Sequence, residues 1–418
     1  MGTEIENTAR LDLASKRNLF LLTCCQAIGQ SGNTMMFTAT ALSVITFFPD
    51  RAFATLPVTM QYLGVMLWVF PAAAVINRHG RRFGFRIGSV FGMVGAATCG
   101  IGLYFANLAV MCLGGLILGY AVASLQMYRF AAVELAPPDY RAKAISWVTA
   151  GGVAAGIIGP SLADWSYDKM MPLYVGTYAV MVAVHAVVFV IMSFIGFPAM
   201  REAPSGPSAS GTAPMPPRPL WRIARQPQFA ASVLVAMIAF GTMSFLMGAS
   251  PLAIVGCGLS HTEAHLVIFL HVMGMFVPSF FTGNLITRFG VLTVMLWGAG
   301  VLLAGVTAAL LGFDAWNFRI ALMLVGLGWN FLFVGATTLV TTCYRSSERT
   351  KAQALNDFLV FGTTATASFL AGYLLDGLGW VRLNEASIVL ILIAALAVGW
   401  LRVQRYRERS GLAPQPAR

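Results

Sequence analysis

The chain has 418 residues, of which 58% are hydrophobic and only 10% charged, and its formal net charge is +11 at pH 7. A soluble chain carries about 25% charged residues, so this composition, with a mean hydropathy of +0.75, excludes a soluble globular protein. The basic balance does not point to nucleic acid either, because in a membrane protein the placement of Lys and Arg matters more than their sum. The partner it implies is a lipid bilayer.

A cytoplasmic segment, 1–17, is expected first. Met1–Glu6 do not complete a myristoylation motif, since Glu6 stands where Ser or Thr is needed. The segment is too polar and acidic for a cleaved leader, so the first span is expected to be retained. Twelve apolar stretches long enough to cross a bilayer follow, at about 18–48, 57–76, 83–105, 108–133, 144–165, 173–197, 228–250, 265–287, 290–312, 316–342, 353–374 and 381–401. Span one is unusually polar, with Gln26, Gln30, Ser31, Asn33 and Thr34. The stretch 198–227 is rich in Pro, Ser and Gly and reads as a linker. A basic tail, 402–418, closes the chain. The expected organisation is an N-terminal six-helix bundle, 18–197, and a C-terminal one, 228–401.

Lys and Arg set the orientation. Only Arg51, Lys169, Arg319 and Arg382 fall on one side, leaving 23 of the 27 on the other. Both termini and the linker are therefore expected in the cytoplasm.

The halves repeat. Asn77-Arg78-His79-Gly80-Arg81-Arg82 joins spans two and three, and Thr287-Arg288-Phe289-Gly290 joins spans eight and nine. Arg141-Ala142-Lys143 opens span five, and Arg349-Thr350-Lys351 opens span eleven. The first loop resembles the signature of the major facilitator superfamily, with Ala73 in place of its Gly and Asn77 in place of its Asp. The second copy keeps Gly283, Arg288 and Gly290. Gly156-Ile157-Ile158-Gly159-Pro160 is similar to a Gly-Pro motif of the same superfamily. The resemblance implies an all-α membrane protein of twelve helices in two pseudo-symmetric halves, working by alternating access with substrate held between the halves. The signature arginines and glycines are read as structural.

Two motifs carry candidate chemistry. Met243 and Met247 end span seven, and His271 and Met275 lie in span eight, each pair at i,i+4 spacing that puts both side chains on one helical face. Thioethers and an imidazole form a soft donor set that suits Cu(I), and a histidine inside a span is by default functional. With span seven ending near 250 and span eight starting near 265, Met243 and His271 are expected at similar depth, about 10 Å from the outer surface. The combination resembles the CcoA-type bacterial copper importers of the superfamily. That resemblance implies copper as the transported ion, supply to haem-copper oxidase assembly, a cytoplasmic copper chaperone as partner, and the bacterial inner membrane as location.

Related sequences transport riboflavin. A carrier for riboflavin or another aromatic molecule, using the polar face of span one and cavity aromatics, stands as an alternative. A non-transporting copper sensor on the same fold is a second.

Cys257, His261 and His265 in an outer segment read as possible metal capture, against ordinary solvated loop residues. Cys24, Cys25 and Cys343 near inner span ends read as a possible relay, against packing. His185 is expected to be structural, and Trp329 and Asn330 to line the cavity. No phosphate-binding loop, prosthetic group or catalytic base is expected, and no buried carboxylate stands out for proton coupling.

Overall fold

The computed structural model describes residues 13–136, 141–197, 218–345 and 348–409. Most of the expected N-terminal segment, of the linker and of the basic tail lies outside the described residues, as do the side chains of Arg141, Lys143 and Arg349.

The described residues form helices and no strand. In order these are α1 (Leu13–Val44), a 3-10 turn (Arg51–Phe53), α2 (Leu56–His79), α3 (Arg81–Tyr104), α4 (Leu108–Leu125), α5 (Tyr128–Glu134), α6 (Arg141–Ser166) and α7 (Val175–Ser193). They continue as α8 (Leu220–Ala224), α9 (Pro227–Gly256), α10 (His261–Phe276), α11 (Ser279–Phe289), α12 (Val291–Leu310), α13 (Ala315–Thr341) and α14 (Arg349–Arg409). Among the described residues, 8 helices are long and apolar enough to cross a membrane, or 9 with the bent pair α10–α11 counted as one span. Helix α14 holds two arms that meet at Gly379, whose φ of 76° breaks the helix. Counting those arms separately and adding α1 and α6, with 32 and 26 residues, gives the twelve.

Local signals set the ends. Asn107, Ser260 and Asp314 cap α4, α10 and α13, their side chains accepting from the backbone N–H groups of Val110, Glu263 and Asn317 at 3.0–3.1 Å. Pro278 lacks an N–H and separates α10 from α11, which bend by 40°.

The chain divides into two compact units, residues 1–49 with 60–212, and 50–59 with 213–418. Residues 50–59 follow α1 in sequence but group with the second unit: the Thr55 hydroxyl donates to the Ser368 carbonyl at 2.7 Å, and Phe53 lies against Phe369. In the first unit α1 packs on α6 and α7, and α3 on α4 and α7. In the second, α9 packs on α14 and α13, and α12 on α13 and α14.

The repeat is written in glycines. Gly64, Gly80, Gly88 and Gly95 have counterparts at Gly274, Gly290, Gly298 and Gly305, each 210 residues later, as 274 − 64 and 290 − 80 illustrate. Gly64 presses on the Leu116 carbonyl, as Gly274 does on that of Met323. Gly80 and Gly290 take φ of 86° and 85° at the starts of α3 and α12, a conformation that disfavours a side chain. The pairs Gly64–Gly274 and Gly80–Gly290 therefore each reflect one backbone requirement met twice.

Candidate functional site

In the first unit, Gln26, Gln30, Asn33 and Phe37 follow one another on α1 at intervals of 4, 3 and 4 residues, which places them on one face. All four are half-buried, while Cys25, Gly29, Gly32, Met35 and Met36 beside them are buried. Helix α2 brings Gln61 and Tyr62 to this half-buried face. The Gln61 Nε2 donates to Asn33 Oδ1 at 3.2 Å, and the rings of Phe37 and Tyr62 stack 5.6 Å apart. Gln61 is 2% exposed, and its Oε1, like that of Gln26, is buried with no donor. Gln61 was legible as a lone amide in an apolar span, and sequence reasoning missed it.

In the second unit, Phe240 of α9, Trp329 and Phe333 of α13 and Phe361 of α14 form an aromatic cluster. The Trp329 and Phe333 rings stack at 5.1 Å, Phe240 meets both edge-on, and the Trp329 indole N–H is buried with no acceptor. Asn330 does not line a cavity. It is 1% exposed and fully engaged: its Nδ2 donates to the Met275 carbonyl at 2.7 Å and to Ser279 Oγ at 2.6 Å, and its Oδ1 accepts from the Thr282 hydroxyl at 2.6 Å.

The methionine and histidine pairs lie farther from their helix ends than the sequence implied. Helix α9 runs through Pro251 to Gly256, and α10 begins at His261. Met247 is thus nine residues, about 14 Å, from its helix end, and His271 ten residues, about 15 Å, from its own. Met247, rather than Met243, matches His271 in depth. Met243, Met247 and His271 are buried and Met275 is half-buried. The His271 ring is turned to α13, with Nδ1 2.8 Å from the Leu322 carbonyl and Nε2 buried without a partner. Among the described residues no three His, Cys, Asp or Glu side chains converge as a metal set.

The segment before His271 is mostly helical, with only 257–260 lying between α9 and α10. Cys257 caps α9 and is exposed, while His261 and His265 belong to the first turns of α10, with His265 buried. The solvated-loop reading of His265 therefore fails, because Ser260 starts the helix before it. Cys25 packs in the core of the first unit and Cys343 in that of the second, Cys343 donating to the Leu339 carbonyl at 3.3 Å. Cys24 is half-buried. His185 is buried beside Gly32 and Gly92, whose missing side chains make room for its ring.

In the signature loops Asn77, Arg78 and Arg288 are exposed, and the Arg288 guanidinium lies 5.2 Å from the Phe289 ring. Arg81 pairs with Glu134 at the end of α5, and Arg82 donates to the Ile195 carbonyl at 2.8 Å. Glu134 thus supplies a carboxylate partner to this arginine cluster, where Asn77 carries no charge.

A family model for the Major Facilitator Superfamily matches residues 19–256 and 232–418. The chain belongs to the Major Facilitator Superfamily. It is a multi-pass membrane transporter with that superfamily's all-helical fold. It is 38% identical over 372 residues to the riboflavin transporter RfnT of Brucella anthropi, covering 89% of this chain and 92% of that one. It is 27% identical over 397 residues to the uncharacterised MFS-type transporter YdeG of Bacillus subtilis, covering 93% and 92%. Among solved structures it resembles a bacterial homologue of the human lysosomal transporter Spinster, in an inward-facing and unoccupied conformation, with a TM-score of 0.68 and 16% identity over 97% of this chain and 100% of that one. It also resembles a bacterial homologue of the iron transporter ferroportin, in an inward-facing state, with a TM-score of 0.67 and 14% identity over 92% and 98%.

Proposed function

We propose that this transporter imports riboflavin, or a planar aromatic molecule of the same hydrogen-bonding pattern, across the bacterial inner membrane by alternating access, with both termini in the cytoplasm. The observation that carries the reading is the polar, half-buried face of α1 with α2, where stacked Phe37 and Tyr62 adjoin the amides of Asn33 and Gln61. Stacked rings suit a flat π-system, and amides suit its polar edges and a polyol chain. The relative named as a riboflavin transporter, at 38% identity, supports the same substrate. The aromatic cluster around Trp329 is a second surface of this chemistry. The orientation rests on the Lys and Arg asymmetry.

One observation favours copper as a second reading. A histidine whose Nδ1 is held by a backbone carbonyl presents Nε2 in a fixed direction, as metal-binding histidines do, and His271 is arranged this way. Met243, Met247 and Met275 are the other donors of that reading, and delivery to an oxidase-assembly chaperone belongs to it alone.

Uptake of tritiated riboflavin and of ⁶⁴Cu into proteoliposomes separates the two. Wild type is expected to take up riboflavin, and Asn33→Ala with Phe37→Ala to lose it. Copper uptake that disappears in His271→Ala, with no riboflavin uptake by wild type, would replace the first reading with the second.

A further inference from the structure

We propose that Gln61 is the acceptor that reads an imide N–H of the transported molecule. The inference rests on the flavin reading and adds to it the residue that selects the substrate's edge.

Two of the four amides of the α1–α2 face, Gln61 and Gln26, have an unanswered acceptor. Gln61 directs its Nε2 to Asn33 Oδ1 at 3.2 Å, and no protein donor reaches its Oε1, although the side chain is 2% exposed. Gln26 Oε1 is in the same state eleven residues before Phe37, about 16 Å along α1. A buried acceptor left without a donor is costly. A substrate that brings donors to this face satisfies both oxygens.

The donors of a flavin are few and well separated. Its ring has a single imide N–H flanked by two carbonyls, and its chain has hydroxyls. Gln61 adjoins the stacked Phe37 and Tyr62 rings, where the flat part of such a molecule would rest, so its Oε1 is matched to the imide N–H. Gln26, farther along the same face, is matched to the hydroxyls. One of the two Gln61 Nε2 hydrogens is held by Asn33, and its Oε1 is the acceptor left for an incoming donor.

The test is binding of riboflavin and of 3-methylriboflavin, which differs by having no imide N–H, to the purified full-length protein, read by quenching of flavin fluorescence. Wild type is expected to bind riboflavin at least about tenfold more tightly than the methylated analogue. Gln61→Met, of nearly the same volume, is expected to bind the two within about twofold of each other. A wild-type ratio near one, or a tenfold preference retained in Gln61→Met, overturns the inference while leaving flavin transport standing. Absence of riboflavin binding by folded wild type removes the flavin reading and this inference with it. Should Gln61→Met fail to give monodisperse protein, Gln61→Glu is the variant to read. It keeps an acceptor and is expected to keep the preference, and loss of the preference there overturns the inference.

Discussion

Asn330 of α13 donates its side-chain amide to the carbonyl of Met275, at the point where α10 gives way to α11. The break at Pro278 interrupts the helical ladder, and Asn330 answers the freed carbonyl while also holding Ser279 and Thr282. Asn330→Ala is expected to strand these groups and cost about 1–3 kcal/mol. Asn330→Asp keeps the acceptor for Thr282 but removes the donor to Met275. Thermal unfolding of both variants in detergent checks this, and an unchanged midpoint in Asn330→Ala would show that the break is satisfied in another way.

Glycines at close crossings separate from glycines in open space. A Cβ on Gly274 would overlap the Met323 carbonyl, whereas one on Gly283 would meet nothing within 4 Å. Gly274→Ala is expected to destabilise by about 1–3 kcal/mol. Gly283→Ala is expected to be neutral, or stabilising by up to about 1 kcal/mol, because it lowers the entropy of the unfolded chain. Equal melting midpoints for the two variants would contradict this packing account.

Arg218, just before α8, clamps Glu348 through two side-chain hydrogen bonds of 2.9 and 2.7 Å and a backbone one of 2.7 Å, and also reaches the Cys343 carbonyl. Those bonds hold the Glu348 carboxyl well below the usual carboxylate range. A depressed carboxyl stabilises the fold fully above its unfolded value, about 4.3, and loses that effect as pH falls towards the folded one. Glu348→Gln is therefore expected to melt below wild type by a margin that is constant from pH 8 to pH 5 and narrows only below about pH 4.3. Differential scanning fluorimetry across that range gives the profile, and a margin already shrinking at pH 6 would refute it.

His271 offers a test of its own role. Its ring holds the Leu322 carbonyl, so His271→Ala is expected to cost about 1–3 kcal/mol of stability with riboflavin affinity unchanged. Loss of flavin binding in a variant that still melts cooperatively would bring this ring into the substrate site.

Span positions were legible because apolar length is a coarse, local signal. The internal repeat was legible because its basic loops recur at one spacing. What escaped depended on partners far along the chain. The seventh apolar stretch reads as ending near 250, yet α9 continues through Pro251 to Gly256, since membrane helices tolerate proline where neighbours satisfy the backbone. That extension changed the depths of Met243 and Met247. Asn330 looked like a cavity residue because nothing local showed that its partners lie 48 to 55 positions earlier. The polar stripe of α1 was readable from Gln26, Gln30 and Asn33. Gln61 and Tyr62 joined it only through the packing of α2.

Helices α10 and α13 are fastened at successive levels. Glu263 meets Arg319 at 2.6 Å, His271 meets Leu322, Gly274 nests on Met323, and Met275 meets Asn330. Two rods joined by so many rungs cannot slide past one another. Bending in α10–α11 is then concentrated at Val277–Pro278, and any displacement of the N-terminal end of α10 drags α13 with it, including the Trp329 that α13 carries.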